Sequence, residues 1–324
     1  MRVRAPYSLP QDKERLLEKA TRLEWISILL MLTVVAVMYL AMGSSQAMRT
    51  ALFEDMLSLI PPAAVLISYR CRDWKPNERF PYGFRRAGDI AFLTSAVALS
   101  VLGLSLLYAA ATSLLRSEHP TIGTAEILGS QVWMGWPMIA ALTYSVIPPA
   151  VLGWLKKPLA EKLHDKALHA DAAMNKADWS TAVAGILGVL GVGFGWWWSD
   201  AAAAAFISVE ILRDGFSNIE RATADLMDER PTRLGSHQPH PVINHLLQFL
   251  EGLDWVEAAE VRLREEGHVF AGEAYVVPKT LDQLPERLEE ASQQVREQFW
   301  QLYDVAITAV PRLDDEVDRR QRRS

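Results

Sequence analysis

Apolar residues are concentrated in the first 230 positions of the chain, whereas residues 231–324 contain no long apolar run. The hydrocarbon core of a bilayer is about 30 Å thick, and roughly 20 predominantly apolar helical residues cross it. Several stretches approach or exceed this length, so the pattern predicts a six-helix, all-α transmembrane domain. The predicted spans are residues 24–43, 50–69, 89–113, 132–155, 170–193 and 196–213.

Basic residues alternate between the segments that connect these spans. Six lysines and arginines precede the first span, six lie between the second and third, and four, beginning at Lys156, lie between the fourth and fifth. The remaining connections contain only Arg49, Arg116 or no basic residue. Because cytoplasmic loops are enriched in Lys and Arg, both termini are predicted to be cytoplasmic. The expected location is a bacterial inner membrane, with the lipid bilayer as the surrounding partner.

The C-terminal part has shorter periods that are typical of a water-soluble domain. Apolar spacing predicts helices over 242–255 and 280–302, and alternation predicts strands over 256–264, 268–277 and 304–310. The order α-β-β-α-β is typical of a small α+β domain. The expected division is a cytoplasmic N-terminal segment (1–22), the transmembrane domain (23–215), a linker (216–241), the cytoplasmic domain (242–311) and a disordered tail (312–324).

Composition narrows the possible functions. The net charge is −6 and the acidic excess lies in residues 231–324, which argues against nucleic-acid binding. Cys71 is the only cysteine, so a disulfide framework and a paired-cysteine metal site are excluded. The sequence has no P-loop, HExxH motif or evident nucleophile–base pair, and we do not expect an enzyme.

Ionisable side chains inside predicted spans are the most informative feature, because charge at bilayer depth is costly and usually marks an ion path. Residues three or four apart share a helix face, so spans two and five each present a row of oxygen atoms. Together they offer roughly four to six oxygens to one divalent cation. The candidate metal ligands are Glu54, Asp55, Ser58, Asp171, Asn175 and Asp178.

Other interpretations remain for some of these positions. Glu54 and Asp171 can be hydrated residues at helix ends, and Asn175 can serve a helix–helix hydrogen bond. Pro61 and Pro62 lack backbone donors, so we expect a kink whose freed carbonyls add ligands.

Several motifs resemble the cation diffusion facilitator family of divalent-metal exporters. Residues 79–87 (RFPYGFRRA) resemble its loop motif HPYGxxRA, and residues 170–178 resemble its fifth-helix motif ADAxHxxxD. Residues 198–200 (WSD) and 226–228 (LMD) resemble the start and the exit of its sixth helix. The resemblance implies a homodimer, a ferredoxin-like cytoplasmic domain and exchange of metal for protons by alternating access.

The chain departs from the family pattern at the expected ligands. The family places ligands four apart on helices two and five, which maps here to Asp55 and Leu59 and to Met174 and Asp178. Leu59 and Met174 are poor replacements, and the histidine that favours zinc is absent. An oxygen-only set favours Mn²⁺ or Mg²⁺, with Fe²⁺ also suited, while Zn²⁺ or Co²⁺ can still bind.

Two hypotheses follow from these observations. The first is a divalent-cation exporter that works as a cation/proton antiporter, with metal and protons competing for carboxylates of helices two and five. The alternative is a membrane metal sensor or partner subunit that has kept the fold and lost transport.

Histidines provide a second set of candidates. Those of the tail are interpreted as solvated or structural, with a metal-sensing site as the alternative. His164 and His169, with Asp165, lie near the predicted start of span five. They either belong to an ordinary hydrated helix turn or line an opening that gathers cations. The tail histidines are His237, His240, His245 and His268.

Overall fold

A computed structural model describes most of the 324-residue chain. The described residues are 9–41, 52, 55–72, 74–116, 124–127, 130–133 and 135–313. They form two compact units, one of residues 15–223 and one of residues from 224 onward together with the start of the first helix.

The first unit is built from helices in the region of the predicted spans. Residues 124–127 and 130–133 form two short strands that pair antiparallel, which the hydropathy pattern did not predict. The elements are α1 (Gln11–Ala41), α2 (Ile60–Arg72), α3 (Ala87–Leu115), β1 (Thr124–Ile127), β2 (Ser130–Trp133), α4 (Gly135–Leu163), α5 (Lys166–Gly193) and α6 (Ser199–Leu226).

The outer surface of these helices is apolar, as expected of a protein that meets lipid. Leu29 of α1, Tyr108 of α3, Trp154 of α4 and Phe206 of α6 are each more than half exposed, at 64–79%. Further large apolar side chains on these helices are also exposed, which suits contact with lipid. By length and composition, α1, α3 and α4 are suited to cross a membrane. Helices α5 and α6 are almost as long. The count of six spans stays a prediction.

The helical conformation is interrupted just before α2, where the sequence predicts a kink. Residues 55–57 are helical, residues 58–59 form a turn, and the helix resumes at Ile60. Pro61 and Pro62 cannot donate to the carbonyls of Leu57 and Ser58, four residues earlier. The turn at residues 58–59 therefore coincides with the carbonyls that lack a helical donor. Asp55 and Ser58 consequently lie at or next to irregular backbone.

Small residues allow some of the helices to approach closely. A Cβ atom added to Gly103 of α3 would lie 3.0 Å from the backbone nitrogen of Leu212 in α6. Glycine at such a crossing permits backbone-to-backbone packing in membrane bundles. Helix α5 packs against α2, α3 and α4, so it is the element on which several helices of this unit converge.

The second unit contains the predicted order α-β-β-α-β. Strand β3 pairs antiparallel with β4, and β4 pairs parallel with β5, which gives a mixed three-stranded sheet. The elements are α7 (Pro241–Glu251), β3 (Val256–Glu266), β4 (Val269–Pro278), α8 (Leu284–Gln298) and β5 (Leu302–Ala309). Helix α7 buries Val242, Leu246 and Leu250, spaced four apart, in one core with residues of the sheet.

The expected boundaries differ from the observed elements at three places. Helix α1 begins at Gln11 inside the expected N-terminal segment, and α6 continues to Leu226 inside the expected linker. Helix α4 continues to Leu163, so Lys156 lies within a helix and is fully buried. Counting Lys156 as a loop charge was therefore wrong, because hydropathy ends a span at a charge even where other helices neutralise it.

Candidate cation site

The first turn of α5 is fixed by a buried cap. The Asp165 carboxylate accepts a hydrogen bond from the backbone N–H of Leu168 at 3.0 Å and one from the Tyr69 hydroxyl at 2.8 Å. A capping side chain satisfies an otherwise unpaired helix donor. Asp165 therefore has a structural role, and neither it nor the buried His164 lies in an open mouth.

One predicted pair of residues from different spans is brought together. The Ser58 hydroxyl, in the turn before α2, donates to Asp178 Oδ1 of α5 at 2.7 Å. Apolar packing supports this contact, because Leu57 packs against a cluster that includes Met174 and Ala177. Ser58 is buried and Asp178 is half-buried.

Asp55 lies three residues before Ser58, one helical turn away in the same stretch of chain. Its Oδ2 atom is buried and has no hydrogen-bond partner in the described part of the chain. A buried carboxylate oxygen without a partner is costly while ionised, and a cation or a proton removes that cost. Ser58 thus connects two candidate acids, since it lies three residues from Asp55 in the chain and donates a hydrogen bond to Asp178.

Asp171 belongs to a different cluster. Its Oδ2 accepts a hydrogen bond from Lys156 Nζ, which also donates to Glu24 Oε2 at 3.1 Å and to Ser27 Oγ at 2.8 Å. Glu24, Lys156 and Asp171 are all 0–1% exposed. This cluster joins α1, α4 and α5 through one ammonium group.

The expectation that Asp171, Asn175 and Asp178 face a single ion does not match this arrangement. Seven residues advance a helix by about 10 Å, so Asp171 lies two turns from Asp178. Asn175, between them, donates its side-chain amide to the Asp171 backbone carbonyl at 2.9 Å. The structure therefore places these residues in two clusters, with Asn175 bonded within its own helix.

Met174 fills no ligand position. It is 1% exposed and packs with Leu99, Leu102 and Ile211. Glu54 lies outside the described residues. In the ranges that the structure describes, no group of three or more His, Cys, Asp or Glu side chains is arranged to hold a metal ion.

The tail histidines have individual surroundings rather than a shared site. His240 caps α7, where its Nδ1 accepts from the Val242 N–H at 3.2 Å, and its ring lies 5.0 Å from that of Phe270. His237 and His245 are exposed, and His268 is buried. His240 therefore has the structural role that was one of the two interpretations.

The residues that sequence reasoning missed are Glu24, Ser27 and Lys156. Each charged member stands at the margin of a predicted span, where hydropathy treats it as solvated. The sequence contained one indication of this cluster: Glu24, in predicted span one, and Lys156, at the end of predicted span four, have opposite charges and can pair if the two helices are neighbours. Their pairing through Asp171 required the fold.

A family model supports the interpretation of these helices. Residues 24–227, which include all of α2 to α5, match the model of the cation efflux transmembrane domain. The chain belongs to the cation efflux, or cation diffusion facilitator, family. It is a multi-pass membrane protein of a family of transporters rather than of enzymes.

Curated relatives in bacteria share this region. The chain is 26% identical over 184 residues to the manganese efflux system protein MneS of Bacillus subtilis (strain 168), covering 57% of this chain and 59% of that protein. It is 23% identical over 209 residues to a cadmium, cobalt and zinc/H(+)-K(+) antiporter of Bacillus velezensis, covering 62% and 58%. The chain thus matches less than two thirds of the length of these two relatives.

A third relative aligns with nearly the whole chain. The chain is 24% identical over 314 residues to the putative transporter MamV of Paramagnetospirillum magneticum (strain ATCC 700264 / AMB-1), covering 93% of this chain and 90% of that protein. At this length the alignment includes the α+β unit as well as the helices.

Proposed function

We propose that this protein exports divalent metal cations from the cytoplasm, in exchange for protons, through a site made by Asp55, Ser58 and Asp178. Glu54 is retained as a further candidate from the same stretch of chain. The observation that carries the proposal is the Ser58–Asp178 hydrogen bond, which joins the segment before α2 to α5 one turn from Asp55. The names of relatives, manganese efflux protein and metal antiporter, support the same activity.

Chemistry favours a hard divalent ion at this site. The available donors are carboxylate and hydroxyl oxygens, and the carbonyls freed before Pro61 and Pro62 add neutral oxygens. Mn²⁺ is therefore the first ion to test, followed by Mg²⁺, Fe²⁺, Zn²⁺ and Co²⁺. The metal is the transported substrate, and no resident cofactor is proposed.

Exchange with protons follows from the same oxygens. A metal ion binds carboxylates that have lost their protons, so metal and proton exclude each other at Asp55 and Asp178. In alternating access, metal binds while the site faces the cytoplasm, and protons replace it while the site faces the other side. The homodimer and the ferredoxin-like description of the second unit remain expectations from the family.

The proposal is tested by transport into everted vesicles, with a pH-sensitive dye recording proton movement. We expect the Asp55→Ala, Asp178→Ala double variant to lose both metal uptake and metal-dependent proton flux. Glu210→Gln is the matched control, because Glu210 is an exposed acid paired with Lys176 at 2.6 Å and lies outside the site. A double variant that is present in the membrane and transports every tested metal as well as the parent would contradict the proposal.

The second candidate is a sensor or partner subunit without transport. The burial of Met174 in an apolar cluster favours it, because one family ligand position is thereby lost. Equilibrium binding separates the two functions: a sensor binds metal with no flux, whereas an exporter shows both.

A further inference from the structure

The cluster of Glu24, Ser27, Lys156 and Asp171 has the composition of a filled cation site. The Lys156 ammonium has three N–H donors, and it has one oxygen acceptor from each of the other three residues. These acceptors come from two helices, α1 and α5, while the ammonium comes from a third, α4. The ammonium is thus surrounded by side-chain oxygens in the way that a bound metal ion is.

The cluster contains two carboxyl groups and one ammonium group, and all three are removed from solvent. In addition, Glu24 Oε1 is buried and has no hydrogen-bond partner among the described residues. A divalent ion at the same place would neutralise both carboxylates. It would also offer a partner to Glu24 Oε1, because this oxygen belongs to the same carboxyl group as Oε2.

We propose that Glu24, Ser27 and Asp171 form a second cation site, distinct from the Asp55–Asp178 site, which the chain fills with its own Lys156 ammonium. Lys156 then acts as a tethered cation that excludes divalent metal from this place. It also keeps Asp171 from binding metal at the Asp55–Asp178 site, which lies two turns further along α5. The inference does not depend on the proposed export function, because it concerns a different set of oxygens.

The test counts Mn²⁺ ions bound per purified chain at equilibrium. The variant Lys156→Met removes the ammonium and keeps the carboxylates, and we expect it to bind one more ion per chain than the parent. The matched control is the triple variant Glu24→Gln, Lys156→Met, Asp171→Asn, which has a similar shape without charge and should bind no additional ion. Lys156→Arg, which keeps the cation, should match the parent.

Each outcome decides the proposal. A folded Lys156→Met variant that binds the same number of ions as the parent overturns it. If Lys156→Met folds only when Mn²⁺ is present, the metal has replaced the ammonium and the proposal is supported. If Mn²⁺ does not restore folding while the triple variant folds, the proposal is overturned. A parent that binds no ion would contradict the export site, whereas the difference between Lys156→Met and the parent would still test this one.

Discussion

Two polar clusters lie on α5 about two helical turns apart, and they differ in how their carboxylates are neutralised. At Asp171 the counter-cation is part of the chain, since Lys156 reaches it from α4. At Asp178 one neighbour is the Ser58 hydroxyl, and Asp55, three residues before Ser58, has a buried oxygen without a hydrogen-bond partner among the described residues. Acids on one helix can therefore have different surroundings, and under the proposed function the chain's own cation marks Asp171 as structural.

The largest expected effect comes from removing the built-in cation. Lys156→Met in metal-free buffer should lower the free energy of unfolding by about 3–5 kcal/mol, because buried carboxylates lose their partner. Thermal unfolding in detergent measures this. Lys176→Met is the matched control: its ion pair with Glu210 is more than half exposed, at 54% and 57%, and such pairs contribute about 0–1 kcal/mol. Equal losses for both variants would contradict the distinction between the clusters.

An intermediate effect is expected at Ser58. Ser58→Ala removes the hydrogen bond to Asp178 and should weaken the apparent affinity for the transported metal by roughly ten- to a hundredfold, since hydrogen bonds to charged groups contribute about 1.5–3 kcal/mol. Concentration-dependent uptake into vesicles measures this. The control is Ser180→Ala on α5, the helix of Asp178. It removes a hydrogen bond to the Ala177 backbone carbonyl of the same helix and should leave affinity unchanged. An unchanged affinity in Ser58→Ala would separate Ser58 from the site.

The smallest effect on metal affinity is expected at the beginning of α5. Asp165→Ala removes the helix cap and the acceptor of the Tyr69 hydroxyl, and should lower the free energy of unfolding by about 1–3 kcal/mol without changing metal affinity. Thermal unfolding and vesicle uptake together check this. A large loss of affinity at unchanged stability would instead assign Asp165 to the cation path.

The sequence was sufficient for part of this account. Hydropathy located the helical region, and alternation located β3, β4 and β5. Helical spacing selected Asp55, Ser58 and Asp178 as candidates, of which Ser58 and Asp178 are in hydrogen-bond contact. The same spacing grouped Asp171 with Asp178, because a shared face takes no account of distance along the axis. It also missed Glu24 and Lys156, since a charge at the margin of a span looks solvated until the fold supplies its partner.

The central claim is that Asp178, and not Asp171, binds the transported ion. Equilibrium Mn²⁺ binding to purified Asp178→Asn and Asp171→Asn tests it most directly, because both variants replace one carboxylate on the same helix by a neutral group of the same size. We expect Asp178→Asn to lose binding and Asp171→Asn to bind Mn²⁺ as the parent does. Loss of binding in Asp171→Asn, with binding kept in Asp178→Asn, would contradict the account.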